Sequence, residues 1–433
     1  MDYEALVAVY CFVGMFVLIL VGVPIFISMF LAAFVGYLLV GGPSFALTQF
    51  TNAPYQITSN YTFAVVPMFI LMGILAAESG IAEEAYYAVS KWFSWIRGGP
   101  LMATVGAAAL FGACSGASLA SAAVFTKIAL PELEKYGYDK NLSMGCMAAS
   151  GGLSSLIPPS IPIIIFCVLT QVSIGKALVA GIVPGILMAI LLIFSIWLIG
   201  ALDKKKIPSV EMRVSWRERF SSLKMIWPIL FLFLLVIGGI FAGIFPPTVG
   251  GAIGAAGALI YSLLRRIGRR KMLGAFWETV LINAQLFPLV IGGFFFGRFV
   301  ALSGLPSGFI DLVNSMQLHP AILIFLIVVL YIFLGCVMEI LSILIITIPI
   351  IFPVITALGF DPLALCIVLV LLSEIASLTP PIGMSVFVVA SVARVDSVEV
   401  FKGILPFFFM ELVVLAVVLL FPSISTWLPR VLF

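Results

Sequence analysis

Charge is scarce in this chain. Only 9% of its 433 residues are Asp, Glu, Lys or Arg, against about 25% in a soluble domain, which excludes an ordinary solvated surface. Histidine is nearly absent: His319 stands alone before Pro320, so a histidine metal centre or a His-dependent triad has no material. Six cysteines, Cys11, Cys114, Cys146, Cys167, Cys336 and Cys366, sit singly in apolar runs without CxxC spacing, and are read as small buried hydrophobes. No HExxH, Walker loop or phosphate-cradling glycine motif occurs, so ATP hydrolysis and metal hydrolysis are unsupported and no enzyme is expected. A Ser115/Lys127 dyad of the intramembrane-hydrolase kind is set aside, because the pair does not recur in the repeat described below. The net charge of +3 matters less than its distribution, and no nucleic-acid partner is expected.

What is abundant is apolar surface. Hydrophobic residues make up 63% of the chain and the mean hydropathy is +1.28. The runs have helical length rather than the alternation of barrel strands, so the chain reads as an all-α integral membrane protein in a lipid bilayer. Asp2 and Glu4 precede the first run where a signal peptide carries a basic region, so the first span is expected to stay. Residues 5–22 and 24–40 read as spans joined at Gly22-Val23-Pro24, and 41–62 as an external loop. A third span covers Phe63 to Glu78, and Ser79–Arg97 has the mixture of a helix lying in the membrane interface.

The chain contains one unit twice. Adding 222 to the numbers of Leu156-Ile157-Pro158-Pro159 gives Leu378-Thr379-Pro380-Pro381, and the same offset carries Pro131 to Pro353, Gly137-Tyr138-Asp139 to Gly359-Phe360-Asp361, Gly181 to Gly403 and Pro184 to Pro406. Each double proline interrupts a run long enough to cross a bilayer, and proline breaks a helix by removing a donor and clashing with the preceding turn. Broken backbone at membrane depth survives only inside protein or along a cavity. Paired breaks of this kind mark the binding site of secondary transporters. Asn141–Thr170 and Pro362–Val392 are the two expected broken helices. Residues 100–135, around Gly112–Ser118, and 321–357, around Gly335–Glu339, are the two expected re-entrant hairpins. Gly175–Leu202, 226–245, 248–264, Trp277–Leu302 and 404–422 complete about ten transmembrane helices.

Basic residues orient the halves, since cytoplasmic loops collect Lys and Arg. With the Asp203–Lys224 stretch inside, 18 of the 22 basic residues fall on the cytoplasmic side, the exceptions being Lys127, Lys176, Arg298 and Arg430. Both termini then lie outside and the two hairpins enter from opposite faces, an inverted repeat of the alternating-access type. The expected division is 1–202 for the first repeat with N-terminal scaffold helices, 203–225 for a cytoplasmic basic linker, and 226–433 for the second repeat with its scaffold helices.

A hard cation such as sodium takes oxygen ligands from unwound carbonyls and hydroxyls. One cation site per half is expected. The first gathers Ser115, Gly116, Ser118, Gly152, Ser155, Pro158 and Ser160; the second gathers Gly335, Met338, Glu339, Glu374, Ser377, Thr379 and Pro381. Each Ser or Thr has a plainer reading as a hydroxyl bonded back to its own helix. Glu339 and Glu374 are carboxylates inside spans, where ionisable groups are costly and usually functional. Arg298 offers a bidentate grip on a carboxylate or else reaches for the interface. With Ser115, Ser160 and Thr379 it makes the expected solute set, and helix N-termini at the breaks favour an anion. No cofactor is expected beyond sodium as coupling ion.

At these motifs the chain resembles the large membrane subunit of the tripartite ATP-independent periplasmic (TRAP) transporters. The resemblance rests on Ser115-Gly116-Ala117-Ser118-Leu119-Ala120, Lys127-Ile128-Ala129-Leu130-Pro131-Glu132, Leu156–Pro162 and Ser173-Ile174-Gly175-Lys176. Phe296-Gly297-Arg298-Phe299, Leu302–Pro306 and Thr379-Pro380-Pro381-Ile382-Gly383 continue it. Ala117 departs from the second serine more usual there. The resemblance implies a sodium-driven importer of an organic acid, of the C4-dicarboxylate or sugar-acid class, in the bacterial inner membrane. It implies an elevator movement in which 100–172 and 321–393 form the transport domain. It also implies a small four-helix membrane subunit, expected as a separate polypeptide, and a periplasmic binding protein that delivers solute. The alternatives are a self-sufficient sodium/dicarboxylate symporter and, in another class, a channel.

Overall fold

The protein, represented by a computed structural model, is described over residues 3–209, 214–316 and 320–433. Asp2, Arg213 and His319, which enter the sequence argument, lie outside these. The elements are all helical. Helices α1 (Tyr3–Leu20), α2 (Ile25–Thr58) and α3 (Val65–Glu78) lead into α4 (Ile81–Phe93). Then come α5 (Gly99–Ser115), α6 (Ser118–Lys135), α7 (Lys140–Gly151), α8 (Leu153–Leu156), α9 (Ile161–Thr170), α10 (Ile174–Ala180) and α11 (Ile182–Leu202). The second half comprises α12 (Trp216–Phe233), α13 (Gly239–Phe241), α14 (Pro247–Leu264), α15 (Arg269–Leu302) and α16 (Leu305–Ser315). It continues with α17 (Pro320–Gly335), α18 (Ile340–Ala357), α19 (Pro362–Ser377), α20 (Met384–Ala393), α21 (Ser397–Leu420) and α22 (Ser423–Leu432). Among the described residues nine segments are long and apolar enough to cross a membrane, or ten when the pair 140–156 and 161–170, bent by 42°, is one span.

The repeat is legible element by element. An offset of 222 lays α6 on α18 end to end, α7 and α8 on α19, and α9 on α20 to within one residue. Caps recur with it. Asp139 accepts from Leu142 N at 2.8 Å, and Asp361 accepts from Leu363 N at 2.8 Å and Ala364 N at 3.3 Å, fixing both broken helices at their starts. The turns before them use Gly137 (φ 74°) and Gly359 (φ 85°). Contacts are exchanged between halves: α6 packs on α20 while α18 packs on α9, the pattern a two-fold relation produces.

Three expectations are corrected. Residues 41–58 are not a loop: α2 continues as helix to Thr58, with a break at Gly42 (φ 79°, ψ 177°) where only glycine fits readily. The charged linker ends earlier than 225, because Ser215 and Glu218 form a reciprocal capping box that starts α12 at Trp216. Helix α4 turns its apolar face (Ile81, Ala85, Tyr86, Ala88, Val89) into the protein, against α5 and α12, rather than into lipid. The six cysteines are unpaired, and all but the half-buried Cys336 are buried.

Outside the hairpins, α2 packs on α15 and α3 on α14. Tyr37 Oη donates to the Phe295 carbonyl at 3.1 Å and Ser262 Oγ to the Leu75 carbonyl at 3.3 Å. Small residues let backbones touch where helices must be close, as membrane packing favours. A methyl on Gly403 of α21 would strike the Asn141 carbonyl, and one on Gly145 of α7 would strike Gly403 itself. Gly403→Ala is therefore expected to destabilise by about 1–3 kcal/mol, read as a lowered unfolding midpoint in detergent. Gly14→Ala on the exposed side of α1, with nothing within 4 Å, is expected to leave the midpoint unchanged or raised. Equal midpoints for the two variants would contradict the α7–α21 contact.

Candidate cation and solute site

Each hairpin tip meets the break of its own half. In the first half Ile161 N donates to the Gly116 carbonyl at 3.2 Å. Gly116, at φ 64°, has no room for a side chain because the Pro159 carbonyl lies against it. In the second half the Cys336 thiol donates to the Pro380 carbonyl at 3.2 Å, and Gly335 is pressed on Ala376. Both proline pairs, Pro158-Pro159 and Pro380-Pro381, are cis. The breaks differ in exposure: Pro158, Pro159 and Ser160 are buried, whereas Pro380 and Pro381 are exposed.

The polar content differs more. In the first half the hydroxyls of Ser115, Ser121, Ser154 and Ser155 are buried and have no hydrogen-bond partner in the protein. An orphaned buried hydroxyl costs about 1–3 kcal/mol, so these four are costly unless something other than the protein satisfies them. Ser118 is buried beside them at the start of α6. Ser160 is committed elsewhere, donating to the Ser155 carbonyl and capping α9 at Ile163 N (3.2 Å). The amides of Ile161 and Ile164 are bonded as well, and Pro162 has none. The anion expected at this helix start therefore finds no free donor among them.

In the second half the plainer reading of the hydroxyls holds. Thr379 Oγ1 bonds the Ile375 carbonyl at 2.8 Å, and Ser377 Oγ bonds the Glu374 carbonyl at 2.8 Å and Ser385 Oγ at 3.0 Å. Positions matching Ser115, Ser118, Ser121, Ser154 and Ser160 are Val337, Ile340, Ile343, Ala376 and Ile382. What remains there is Glu339, half-buried beside Ser342, with buried Met338 next to it and Gly335 four residues before it.

Glu374 belongs to the other side. Its carboxylate lies beside Ser155 and Ser118 and against Gly152 of the first half, with Oε1 unpartnered. Gly152 and Glu374 are themselves 222 residues apart, so equivalent positions of the two repeats meet here. Glu411, in the middle of α21 and 1% exposed, is a further carboxylate in this region. It went unnoticed in the sequence, although a lone Glu in Phe407–Val418 is the signal that singled out Glu374.

Two cavities lie along α9 and α15, and the first reaches the first tip. One, of about 220 Å³, is lined by Ser115, Ala117, Lys127, Ile161, Glu78 and Glu278 among others. The second, of about 530 Å³, holds Arg298 with Thr170, Gly297, Pro349 and Phe352. Both are lined by α9 and α15, the first at Ile161 and Ile282 and the second at Thr170 and Gly293, roughly 12–16 Å apart at 1.5 Å per helical residue, so Arg298 and Ser115 do not share a cavity. A third cavity, of about 290 Å³ among α1, α16, α17 and α18, has an almost wholly apolar wall and offers nothing to a charged solute.

Paired broken helices, each met by a hairpin tip, are the arrangement of a membrane secondary transporter. The chain matches the family described as the tripartite ATP-independent periplasmic transporter, DctM component, over residues 12–424. It belongs to that family, whose members are transporter permeases and not enzymes. It is 30% identical to the C4-dicarboxylate TRAP transporter large permease protein DctM of Pseudomonas aeruginosa, over 87% of this chain and 88% of that one. It is 31% identical to the sialic acid TRAP transporter large permease protein SiaM of Vibrio cholerae, over 95% and 96%. Its fold is similar to the Alcanivorax borkumensis YdaH transporter, with a TM-score of 0.60 at 14% identity over 99% of both chains.

The orphaned hydroxyls make a prediction of unusual sign. In sodium-free choline buffer, Ser121→Ala and Ser154→Ala are expected to hold or raise the unfolding midpoint, because an unbonded buried hydroxyl is removed. Ser377→Ala and Ser160→Ala, which delete bonded hydroxyls, are expected to lower stability by about 1 kcal/mol. The reverse order would show that the first-half hydroxyls are satisfied.

Proposed function

We propose that this chain is the sodium-coupled large permease of a tripartite importer of a small organic acid. In this reading sodium completes the shell of Ser115, Ser118 and Ser155 with the carbonyls of Gly116 and Gly152. The solute carboxylate is held by Arg298 on one side of the cycle and by the first hairpin tip on the other. The single observation that supports it most is the set of buried unpartnered hydroxyls where tip meets break. The second hairpin, through Gly335, Met338, Glu339, Thr379 and Pro381, supplies a second ion position of different chemistry.

The transport domain comprises 100–172 and 321–393 and moves against α2, α3, α14 and α15 as an elevator. The two separate cavities lined by α9 and α15 and the unequal exposure of the two breaks support this. The partners are a small membrane subunit and a periplasmic binding protein, and both termini face the periplasm of a bacterial inner membrane. C4-dicarboxylates and sugar acids are the solute classes to test first, given the relatives' names.

The test is uptake of a radiolabelled panel of dicarboxylates and sugar acids into proteoliposomes under an inward sodium gradient, with and without both partners. Uptake requiring sodium and both partners is expected. Uptake by this chain alone indicates a self-sufficient symporter, and sodium-independent, non-saturable flux indicates a channel; either overturns the proposal. Arg298→Lys keeps the charge but loses the bidentate fork and is expected to raise the KM for solute about tenfold, a loss of about 1.4 kcal/mol.

A further inference from the structure

Two N–H donors go unused where the end of α4 meets the start of α12. The helices run antiparallel there. Ser222 Oγ donates to the Ala88 carbonyl at 3.5 Å, and one turn further along α4 the Trp92 ring meets Phe220 edge-on, with centroids 5.7 Å apart. Arg219 stands one turn before Ser222, which brings it to the level of Trp92. Trp92 Nε1 and Arg219 Nε are enclosed and neither has an acceptor, a costly condition and more so on a charged group. Both side chains are only half-buried, so these donors lie just beneath the surface.

Charge gathers at the same place. The Arg219 guanidinium is held over the Trp216 ring at 4.8 Å and the Lys91 ammonium over the Tyr87 ring at 4.6 Å. Among the described residues Lys91, Arg217, Arg219 and Lys224 form no ion pair. Glu218, the carboxylate in this turn of α12, is spent on the Ser215 cap, accepting from its N at 2.8 Å and its Oγ at 2.9 Å. The second basic cluster is different, since Arg265 pairs with Glu84 and Lys271 with Glu78. Orphan donors among unpaired cations make a place for an anion.

The adjoining apolar surface identifies what carries that anion. Phe220, Leu223, Trp227, Leu230 and Phe231 are exposed on α12 at the spacing of one helix face. At 1.5 Å per residue the stripe is about 16 Å long, close to the roughly 15 Å hydrocarbon depth of one leaflet. Trp95 and Trp216 are exposed at its charged end, as tryptophans are at the level of lipid headgroups. A free anion would use the donors and leave the stripe idle; an amphiphile uses both. A zwitterionic headgroup would turn its ammonium on Lys91 and Arg217, so an anionic one is favoured.

We propose that the α4–α12 junction binds an anionic phospholipid, its phosphate on Trp92 Nε1 and Arg219 Nε with Lys91 alongside, and an acyl chain along the α12 stripe. The site fixes α12 to α4 at the membrane boundary and is independent of the solute carried and of the coupling ion.

The test is the thermal unfolding midpoint of the purified, delipidated full chain in neutral detergent, titrated with phosphatidylglycerol, since a ligand of the folded state raises the midpoint with concentration. A saturable rise is expected with phosphatidylglycerol, with no comparable rise for phosphatidylcholine or inorganic phosphate. Arg219→Gln is expected to move the half-point about fivefold toward higher lipid, the worth of one basic side chain at an anionic headgroup. Trp92→Phe, which keeps a ring but deletes the N–H, is expected to move it in the same direction. Arg270→Gln, in the second basic cluster and exposed, is expected to leave it unmoved. Should Arg219→Gln fail to fold, Trp92→Phe and Lys91→Gln carry the test. Equal responses to phosphatidylglycerol and phosphatidylcholine, a response to inorganic phosphate alone, no response to any lipid, or half-points unmoved in the α4 and α12 variants overturns the site.

Discussion

A broken helix inside a bilayer leaves backbone and hydroxyl groups that lipid cannot satisfy, and the whole chain is arranged to meet that constraint. Each double-proline break is covered by a hairpin tip of its own half, Gly116 on Pro159 and Cys336 on Pro380. Each returning hairpin arm then packs on the broken helix of the other half. Close glycine contacts at Gly145 and Gly403 bring α7 and α21 together behind the breaks. At the first tip and break four serine hydroxyls stay unpartnered, whereas Ser377 and Thr379 at the second break are bonded.

That shortfall separates two halves that are alike in backbone. The apolar counterparts of the first-half serines, Val337, Ile340, Ile343, Ala376 and Ile382, fill equivalent positions with side chains that bind nothing. Polarity is concentrated on one side of the two-fold relation, and Glu374 crosses from the second half to join it. Repeated backbone with divided chemistry gathers the unpartnered serine hydroxyls and Glu374 on one side, with one cavity at Ser115 and Lys127 and another at Arg298.

Much of the fold was legible because its signals are local. Prolines at a constant offset, aspartate caps and glycines at positive φ fix the elements without any knowledge of their packing. The helical 41–58 stretch was misread because Gly42, Pro43 and Pro54 look like loop punctuation, yet Pro43 stands just after the Gly42 break, where proline is tolerated, and the helix continues through Pro54 with only Gly42 departing from helical geometry. The α12 start was missed because a charged run hides a Ser215/Glu218 capping box. Site membership was less legible, since whether a serine bonds back to its own helix depends on rotamer and neighbours. Ser377 and Thr379 do, Ser154 and Ser155 do not, and nothing in the local sequence separates them. Reach across the two-fold, as with Glu374, is a property of packing alone.

The most direct test of the account is amide hydrogen exchange of the purified chain with sodium against choline. If the first tip and break hold the cation, sodium slows exchange in 112–121 and 151–163 well beyond its effect on 335–343 and 376–385. Equal protection at the two ends, or none at either, would contradict an ion centre built from the orphaned first-half hydroxyls.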